Sequence, residues 1–380
     1  MLDVLIQGAG IGGLTLGLFL VRQGLKVKIV ERATELSEVG AGIWLAPNAL
    51  QVFRILGIEE ELLRDCWSIS RVLIEDYGGG RLFTAALGEI SQEFGATTHV
   101  LYRQRLQRFL FEKLPPNTVT FGSEIKTVNE TGDRIYYTLS SGDLGECRLL
   151  VGADGIYSAL RPQVSKRLEK RYSGYTSCRG IARNPTVPWE DVHDNREIWG
   201  RRCRLGFSKI NQNDVYWYFT WLESESNYHS KNDQYELLDR YFQDYFPRFK
   251  PILACTPRED IVRTDIADLR PARAWTKGRM GLIGDAAHAT TPNLGQGGSL
   301  AIVDACYLSE AIKTHGLVPE ALKSFQDRAF RKTQVVTFIS RAFGDICHIR
   351  QPLLRWLSLR YVSASPAIVH DLLWRWIYKI

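Results

Sequence analysis

Apolar residues fall in short blocks near the start of the chain and in alternation near its middle, and the two textures predict two kinds of structure. Val4 to Gln7 reads as a buried strand, Gly8 to Gly13 as a turn, and Leu14 to Arg22 as a helix stopping at Gly24. Lys26 to Glu31 follows as a second strand whose apolar members are Val27, Ile29 and Val30. The short connections make this a βαβ unit with two parallel neighbouring strands. Pro47 to Leu56 carries helical spacing, and so does Tyr102 to Leu114, with Leu106, Phe109, Leu110 and Leu114 on one side. Val119 to Phe121, Lys126 to Asn129, Arg134 to Leu139 and Leu149 to Ala153 read as strands.

From about Tyr172 to Ile261 alternation dominates, most clearly in Asp214-Val215-Tyr216-Trp217-Tyr218-Phe219-Thr220-Trp221. This predicts an antiparallel sheet, with a helix over Tyr235 to Tyr245 lying on it. At Met280 to Gly284 the chain returns to a buried strand, and helices follow over Gly298 to Thr314 and Pro319 to Phe343. The end of the chain, Pro352 to Ile380, places Leu, Trp and Arg at helical spacing. The fold class expected is α/β: a Rossmann-type domain (βαβ, GxGxxG) with an inserted, mostly antiparallel β-sheet substrate domain and C-terminal helices. The first domain is then discontinuous, over residues 1–70, 97–171 and 262–345. The sheet domain takes 71–96 and 172–261, and a helical segment takes 346–380.

Composition narrows the function classes. The net charge of +6 over 380 residues is mild, and no long basic run interleaves with stacking residues, so nucleic acid is not an expected partner. The seven cysteines, Cys66, Cys147, Cys178, Cys203, Cys255, Cys306 and Cys347, form no CxxC pair and no close cluster with histidine. Neither a metal site nor a disulfide framework is expected, and reduced thiols fit a cytoplasmic enzyme. No cleavable leader and no membrane-spanning segment is read from the sequence.

Gly8-Ala9-Gly10-Ile11-Gly12-Gly13 stands between the first strand and its helix. Gly8 permits the tight turn, Gly10 admits a pyrophosphate against the backbone, and Gly13 lets the helix pack on the strand. The helix start offers unpaired N–H groups and a partial positive charge to phosphate. Glu31, about 20 residues on, ends the second strand where a carboxylate accepts hydrogen bonds from a ribose. Arg32 joins the cofactor-binding candidates beside it, with a solvated surface residue as the ordinary alternative. A second motif, Gly281-Leu282-Ile283-Gly284-Asp285-Ala286-Ala287-His288, is a buried strand ending at a carboxylate. Pro292 and Gly295-Gln296-Gly297-Gly298 then lead into a helix. Here Asp285 is placed to bond a polyol hydroxyl, and the N–H groups near Gly297 to stabilise negative charge on a reduced ring. A helix cap with a glycine loop is the plainer reading of this motif taken alone. Together the two motifs point to FAD. A third motif, Gly152-Ala153-Asp154-Gly155 with Arg161, and a fourth, Arg103 at a helix start, have plain readings as a turn and a surface arginine.

In combination these residues resemble the FAD-dependent aromatic hydroxylases, single-component flavin monooxygenases similar to para-hydroxybenzoate hydroxylase. The segment Gly40-Ala41-Gly42-Ile43-Trp44-Leu45-Ala46-Pro47-Asn48-Ala49-Leu50 is similar to the subgroup with salicylate hydroxylases, urate hydroxylases and zeaxanthin epoxidases. The resemblance covers roughly residues 1–340. It implies that Gly8, Gly10, Ile11, Gly12, Gly13, Glu31 and Gly42 contact FAD, that Arg103 reaches its phosphates or ribityl chain, and that Asp285 bonds the ribityl chain. It implies that Pro292, Gly295, Gly297 and Gly298 border the isoalloxazine, and that Asp154 serves both FAD and NAD(P)H. One departure is Val303, where the family often carries an acid before the residue matching Asp304. The implied chemistry is flavin reduction by NADPH or NADH as a transient co-substrate. Oxygen then passes from a flavin C4a-hydroperoxide to a small, aromatic or conjugated substrate, by hydroxylation or epoxidation. No protein nucleophile is needed, and His288 reads as structural.

Substrate contact is expected from the alternating sheet. Tyr216 and Tyr218 are candidates on one face, and Arg204 is preferred over Arg183, Arg201 and Arg202 as a partner for an acidic substrate. Core or solvated positions are the plain alternative for each. A closed, largely apolar pocket against the flavin domain is expected to exclude water. The rival functions are a flavin-dependent reductase or dehydrogenase acting on a lipid-like substrate, and an FAD-fold binding protein without catalysis. The C-terminal Trp356, Trp374 and Trp376 with Arg355, Arg360 and Arg375 read as a packed helix or dimer face, with peripheral membrane contact as the alternative.

Overall fold

The computed structural model describes residues 1–36, 41–227, 230–364 and 367–380. Its internal contacts cluster into two units. One comprises 1–38, 104–171 and 267–339, and the other 39–103, 172–266 and 340–380.

The first unit is built on an eight-stranded sheet. Its main path runs Thr276–Lys277, Met280–Leu282, Leu144–Gly152, Leu2–Gln7, Val27–Val30, Val119–Thr120. Leu2–Gln7 pairs in parallel with both neighbours, Ile6 standing beside Val151 on one side and Ile29 on the other. Met280–Leu282 and Val119–Thr120 extend the parallel set. A hairpin, Ile125–Thr131 with Arg134–Leu139, joins through Leu144–Gly152. Val4, Leu5, Ile6, Ile29, Leu149, Leu150 and Val151 are buried, as continuous apolar runs in a parallel sheet require. Helix Ile11–Arg22 packs against helix Gly297–His315. The contact is close because a Cβ on Gly12 would lie 3.2 Å from that of Ala301.

The second unit holds the seven-stranded sheet, in the order Val262–Leu269, Lys170–Ala182, Val215–Leu222, Cys203–Lys209, Asp194–Trp199, Arg71–Asp76, Arg81–Ala85. Its central pairs are antiparallel, and Asp194–Trp199 with Arg71–Asp76 is a parallel pair. Alternation sorts the aromatics. Trp217, Phe219 and Trp221 join Phe207 and Leu205 in a core covered by Leu238, Phe242, Phe246 and Ile252 of the helical segment after the strand. Tyr216, Tyr218 and Thr220 point to the other face. A small sheet, Gly42–Leu45, Thr98–Tyr102 and Trp67–Ile69, has no counterpart in the sequence reading. This sheet lies within 39–103, and the contact units divide the chain at other points than residues 70, 97 and 262. The C-terminal stretch forms two helices, Pro352–Ala364 and Ala367–Tyr378.

Candidate functional site

The glycine-rich turn of the first unit lies at the carboxyl end of the parallel strands, where open α/β sheets bind ligands. Gly8 has φ 107°, and a Cβ there would meet the Ala153 backbone, while one on Gly13 would run into the Gly8 carbonyl. Gly10 differs, since its nearest neighbour to an added Cβ is the Ala153 oxygen at 3.8 Å. Protein packing therefore demands glycine at positions 8 and 13, whereas at 10 an added Cβ would make only an ordinary contact with the protein. Gly10 is the N-cap of helix Ile11–Arg22 and no side chain caps it, so the N–H groups of Ile11, Gly12 and Gly13 face an open end.

Glu31 holds this turn. Its carboxylate accepts from the N–H of Ala9 at 2.8 Å and of Ala33 at 3.0 Å, and each oxygen retains a further lone pair. Arg32 next to it is exposed. Gln107 is a residue the sequence reading passed over. Its amide nitrogen donates to the Ala9 carbonyl at 2.8 Å, and its Oε1 is buried without a protein donor. It lies one helical turn beyond Arg103, the only signal the sequence carried for it. Arg103 is exposed at the helix start and donates its backbone N–H to Ala41 at 2.8 Å.

The Asp154 and Asp285 motifs are clipped together. Arg161 is buried and donates Nε to the Ala286 carbonyl at 2.8 Å. Its Nη1 goes to Ile156 at 2.8 Å, and its Nη2 to Gly155 at 3.0 Å and Asp285 at 3.2 Å. Burial pulls its guanidinium pKa down, against the opposing charges of Asp154 and Asp285. Asp154 Oδ2 accepts from Gln7 at 2.8 Å and from Ala159 at 2.9 Å, while its Oδ1 is buried without a protein donor. Its side chain thus fixes the turn first. Asp285 opens a single helical turn at the end of strand Met280–Leu282, and its side chain is exposed. Pro292 is exposed, and Gly295 takes the left-handed φ of 62°. Helix Gly297–His315, beginning with Gly297 and Gly298, has no side-chain cap. Behind these residues Asp304 Oδ2 accepts from Gly284 N at 2.8 Å and meets His288 Nε2 at 2.5 Å, all buried. Burial works against charge on His288, and Asp304 overrides it, so the imidazole pKa is raised.

In the second unit, Gly42 is accounted for by packing, since a Cβ there would enter the Tyr216 ring. Tyr216 is buried among Ile69, Val100, Ile181 and Ile210, whereas Tyr218 is half-buried and lies across Gly206 of the neighbouring strand. Tyr218 Oη donates to Glu197 Oε2 at 2.5 Å. Glu197 Oε1 accepts from Trp199 Nε1 at 2.6 Å and from Arg204 Nη1 at 3.2 Å. Arg204 Nε reaches Thr220 Oγ1 at 3.3 Å, which lies 3.0 Å from His348 Nε2. His348 Nδ1 is 2.8 Å from the Gly344 carbonyl, which only accepts, so this nitrogen carries the proton. Burial and then Arg204 push the His348 pKa down to about 4. Burial first, then Glu197, raises the Tyr218 phenol well above its ordinary value. Arg204 is therefore buried in an ion pair, and Arg183 likewise faces Asp214 at 2.8 Å. Glu197, Thr220 and His348 come from separate segments, and no local pattern announced them.

Residues 1–329 match the family described as FAD binding domain. The chain belongs to this family. It is 35% identical over 373 residues to aurachin C monooxygenase/isomerase of Stigmatella aurantiaca, covering 96% of each chain. It is 32% identical over 374 residues to 2-heptyl-3-hydroxy-4(1H)-quinolone synthase of Pseudomonas aeruginosa, covering 96% of this chain and 94% of that protein. The crystal structure of Klebsiella pneumoniae HpxO complexed with FAD and uric acid shares the fold, with a TM-score of 0.90 at 23% identity. It matches 99% of this chain and 96% of that one. The protein is an FAD-dependent monooxygenase, and NAD(P)H is the co-substrate typical of this class. Among the described residues no helix is long and apolar enough to cross a membrane.

Proposed function

We propose that this monooxygenase hydroxylates the ring of an uncharged heteroaromatic, a 4(1H)-quinolone bearing an apolar chain. The observation that carries the reading is the charge balance at Arg204. Its guanidinium already meets Glu197, so a substrate carboxylate would gain little there and would face the Glu197 charge. Tyr218 Oη donates to Glu197, which leaves its lone pairs to accept. That favours a substrate edge with an N–H donor, and a quinolone ring has one. A relative at 32% identity, named for a 3-hydroxy-4(1H)-quinolone product, supports the same class.

In this reading the first unit holds the dinucleotide and the second selects the substrate. The helix start after Gly10 takes the pyrophosphate and Glu31 the ribose. Asp285 takes the polyol, and the uncapped N–H groups at Gly297 and Gly298 border the ring. Bound FAD supplies the redox and oxygen chemistry. The chain's own residues orient the substrate and exclude water, with Tyr218 and its Glu197 partner beside it. None of the seven cysteines is in a disulfide, in keeping with a reducing compartment, and we place the protein in the cytoplasm. The test is substrate-stimulated NAD(P)H oxidation and oxygen uptake with 2-alkyl-4(1H)-quinolones, set against salicylate and urate. Stimulation by the quinolones with a singly oxygenated product is expected. Faster turnover of salicylate or urate than of any quinolone would overturn the assignment.

A further inference from the structure

Helix Pro352–Ala364 is inside out. At about 100° per residue, Leu353, Leu354, Trp356, Leu357, Arg360 and Tyr361 fall within one stripe roughly 160° wide. Residues spaced i, i+3, i+4, i+7, i+8 ordinarily face a core. Here the five apolar ones are between 48% and 75% exposed. The opposite face carries Arg355, Ser358 and Leu359. Leu359 packs toward the cluster of Ile74, Trp199 and Cys347, and the helix rests on the edge strand Arg81–Ala85. The helix is thus held in place by its less apolar side.

Charge identifies the occupant of the stripe. From residue 346 to residue 370 the chain has no Asp or Glu, while Arg350, Arg355 and Arg360 lie in that interval. Arg360 stands within the stripe, its guanidinium 5.5 Å from the Trp356 ring. A two-fold contact through this stripe would set Arg360 near its own copy with no carboxylate from this segment to neutralise it. An anionic bilayer supplies the missing charge. Leucines enter the acyl boundary, Trp and Tyr suit the headgroup level, and arginine lays its stem along the apolar surface with its head at the phosphates.

We propose that the outward stripe of helix Pro352–Ala364 docks the protein onto an anionic lipid surface. The experiment is co-sedimentation of the FAD-loaded protein with vesicles of phosphatidylcholine alone and of phosphatidylcholine mixed equally with phosphatidylglycerol. Partitioning at least about tenfold stronger onto the mixed vesicles is expected. L353E/L357E should reduce binding to background with unchanged FAD content. R360E should remove most of the preference for the anionic vesicles, and it carries the test by itself where the double variant fails to hold FAD. Three results would overturn the proposal: no binding to the mixed vesicles, binding that both variants retain, or self-association by light scattering that L353E/L357E abolishes. Because the readout is lipid binding, it stands or falls separately from the quinolone assignment.

Discussion

The two units build recognition from different parts of the residue. Around the parallel sheet, what is offered to a ligand is mostly backbone: an open turn at Gly10 and two helices without side-chain caps. The titratable groups nearby, Asp154, Arg161 and the His288–Asp304 pair, are largely taken up in holding that backbone. In the antiparallel sheet the backbone is consumed by pairing, and on the proposed reading side chains would make the substrate site. Arg204, Glu197, Tyr218, Thr220 and His348 form one buried network drawn from three strands and a helix end. FAD carries the same phosphates and ribose whatever the substrate, so fixed backbone suffices to hold it. Substrates differ, and a side-chain network is the part that can be changed without altering the fold.

This contrast is most sharply tested at the glycines. Gly13→Val should cost on the order of 3 kcal/mol or more through overpacking and leave the protein colourless or aggregated. Gly10→Ala should fold normally and yet bind FAD at least about tenfold more weakly, since a methyl there makes only an ordinary contact with the protein and would intrude on a pyrophosphate held at the turn. Flavin absorbance and fluorescence titration of the two purified variants read this out. Equal FAD affinity in Gly10→Ala and wild type would remove the distinction between packing glycines and ligand glycines.

The network of the second unit should respond as a buried ion pair. Arg204→Leu alone leaves Glu197 uncompensated and should lower stability by about 3–5 kcal/mol, while Arg204→Leu with Glu197→Leu should recover much of it. Denaturant melts of the single and double variants measure this. A double variant no more stable than the single would mean that the pair's neighbours, not its charges, hold the sheet.

The two buried histidines give the comparison a pH axis. His348 is depressed to about 4, so its contribution is complete above the unfolded value of about 6.5 and is lost as pH falls toward about 4, by on the order of 3 kcal/mol. His288 is raised, so its contribution is present below about 6.5 and is lost as pH rises through its folded value. The His348→Gln variant should therefore show a shallower acid decline in melting temperature, and His288→Gln a shallower decline on the alkaline side. Identical pH profiles for wild type and His348→Gln would show that the imidazole does not titrate between the two states.

The smallest effect expected is that of Tyr218→Phe. Loss of one hydrogen bond to Glu197 should change stability by about 1 kcal/mol, and kcat/KM for a quinolone by about fivefold, with more peroxide released per NAD(P)H. Trp217→Phe, on the opposite face and bonded to Thr256 at 2.8 Å, should affect stability without changing the peroxide yield. If the two variants leak peroxide equally, the face assignment has no bearing on substrate.

Much of this was legible early. The strand-turn-helix-strand at residues 2–30 and the Asp285 strand were read from local pattern because a parallel sheet needs continuous apolar runs and its turns need glycine. Alternation at 215–222 placed Trp217 opposite Tyr216 and Tyr218 without any structure. Gly42 shows where such reading runs out. The family resemblance placed it among cofactor contacts, and the fold supplies a packing reason from a tyrosine 174 residues later. The small sheet at 42–45, 67–69 and 98–102 was missed because strands of three to five residues carry too little periodicity to stand out.

By itself the sequence determined what local chemistry can encode: the glycine turn, the helix start with its free N–H groups, the carboxylate about 20 residues on, and the alternating aromatic strand. Only the tertiary structure decided the state of the charged groups. Arg204 reads as an open cation in one dimension and is paired with Glu197 in three. His348 stays neutral well into the acid range because the fold buries it near the Arg204 charge, and the stripe of Leu353, Trp356, Leu357 and Tyr361 reads as core until the chain is folded and the stripe points outward. The reason is physical: turns and strand patterns arise from steric preferences within a few residues, whereas desolvation and ion pairing depend on neighbours that the chain brings together from any distance.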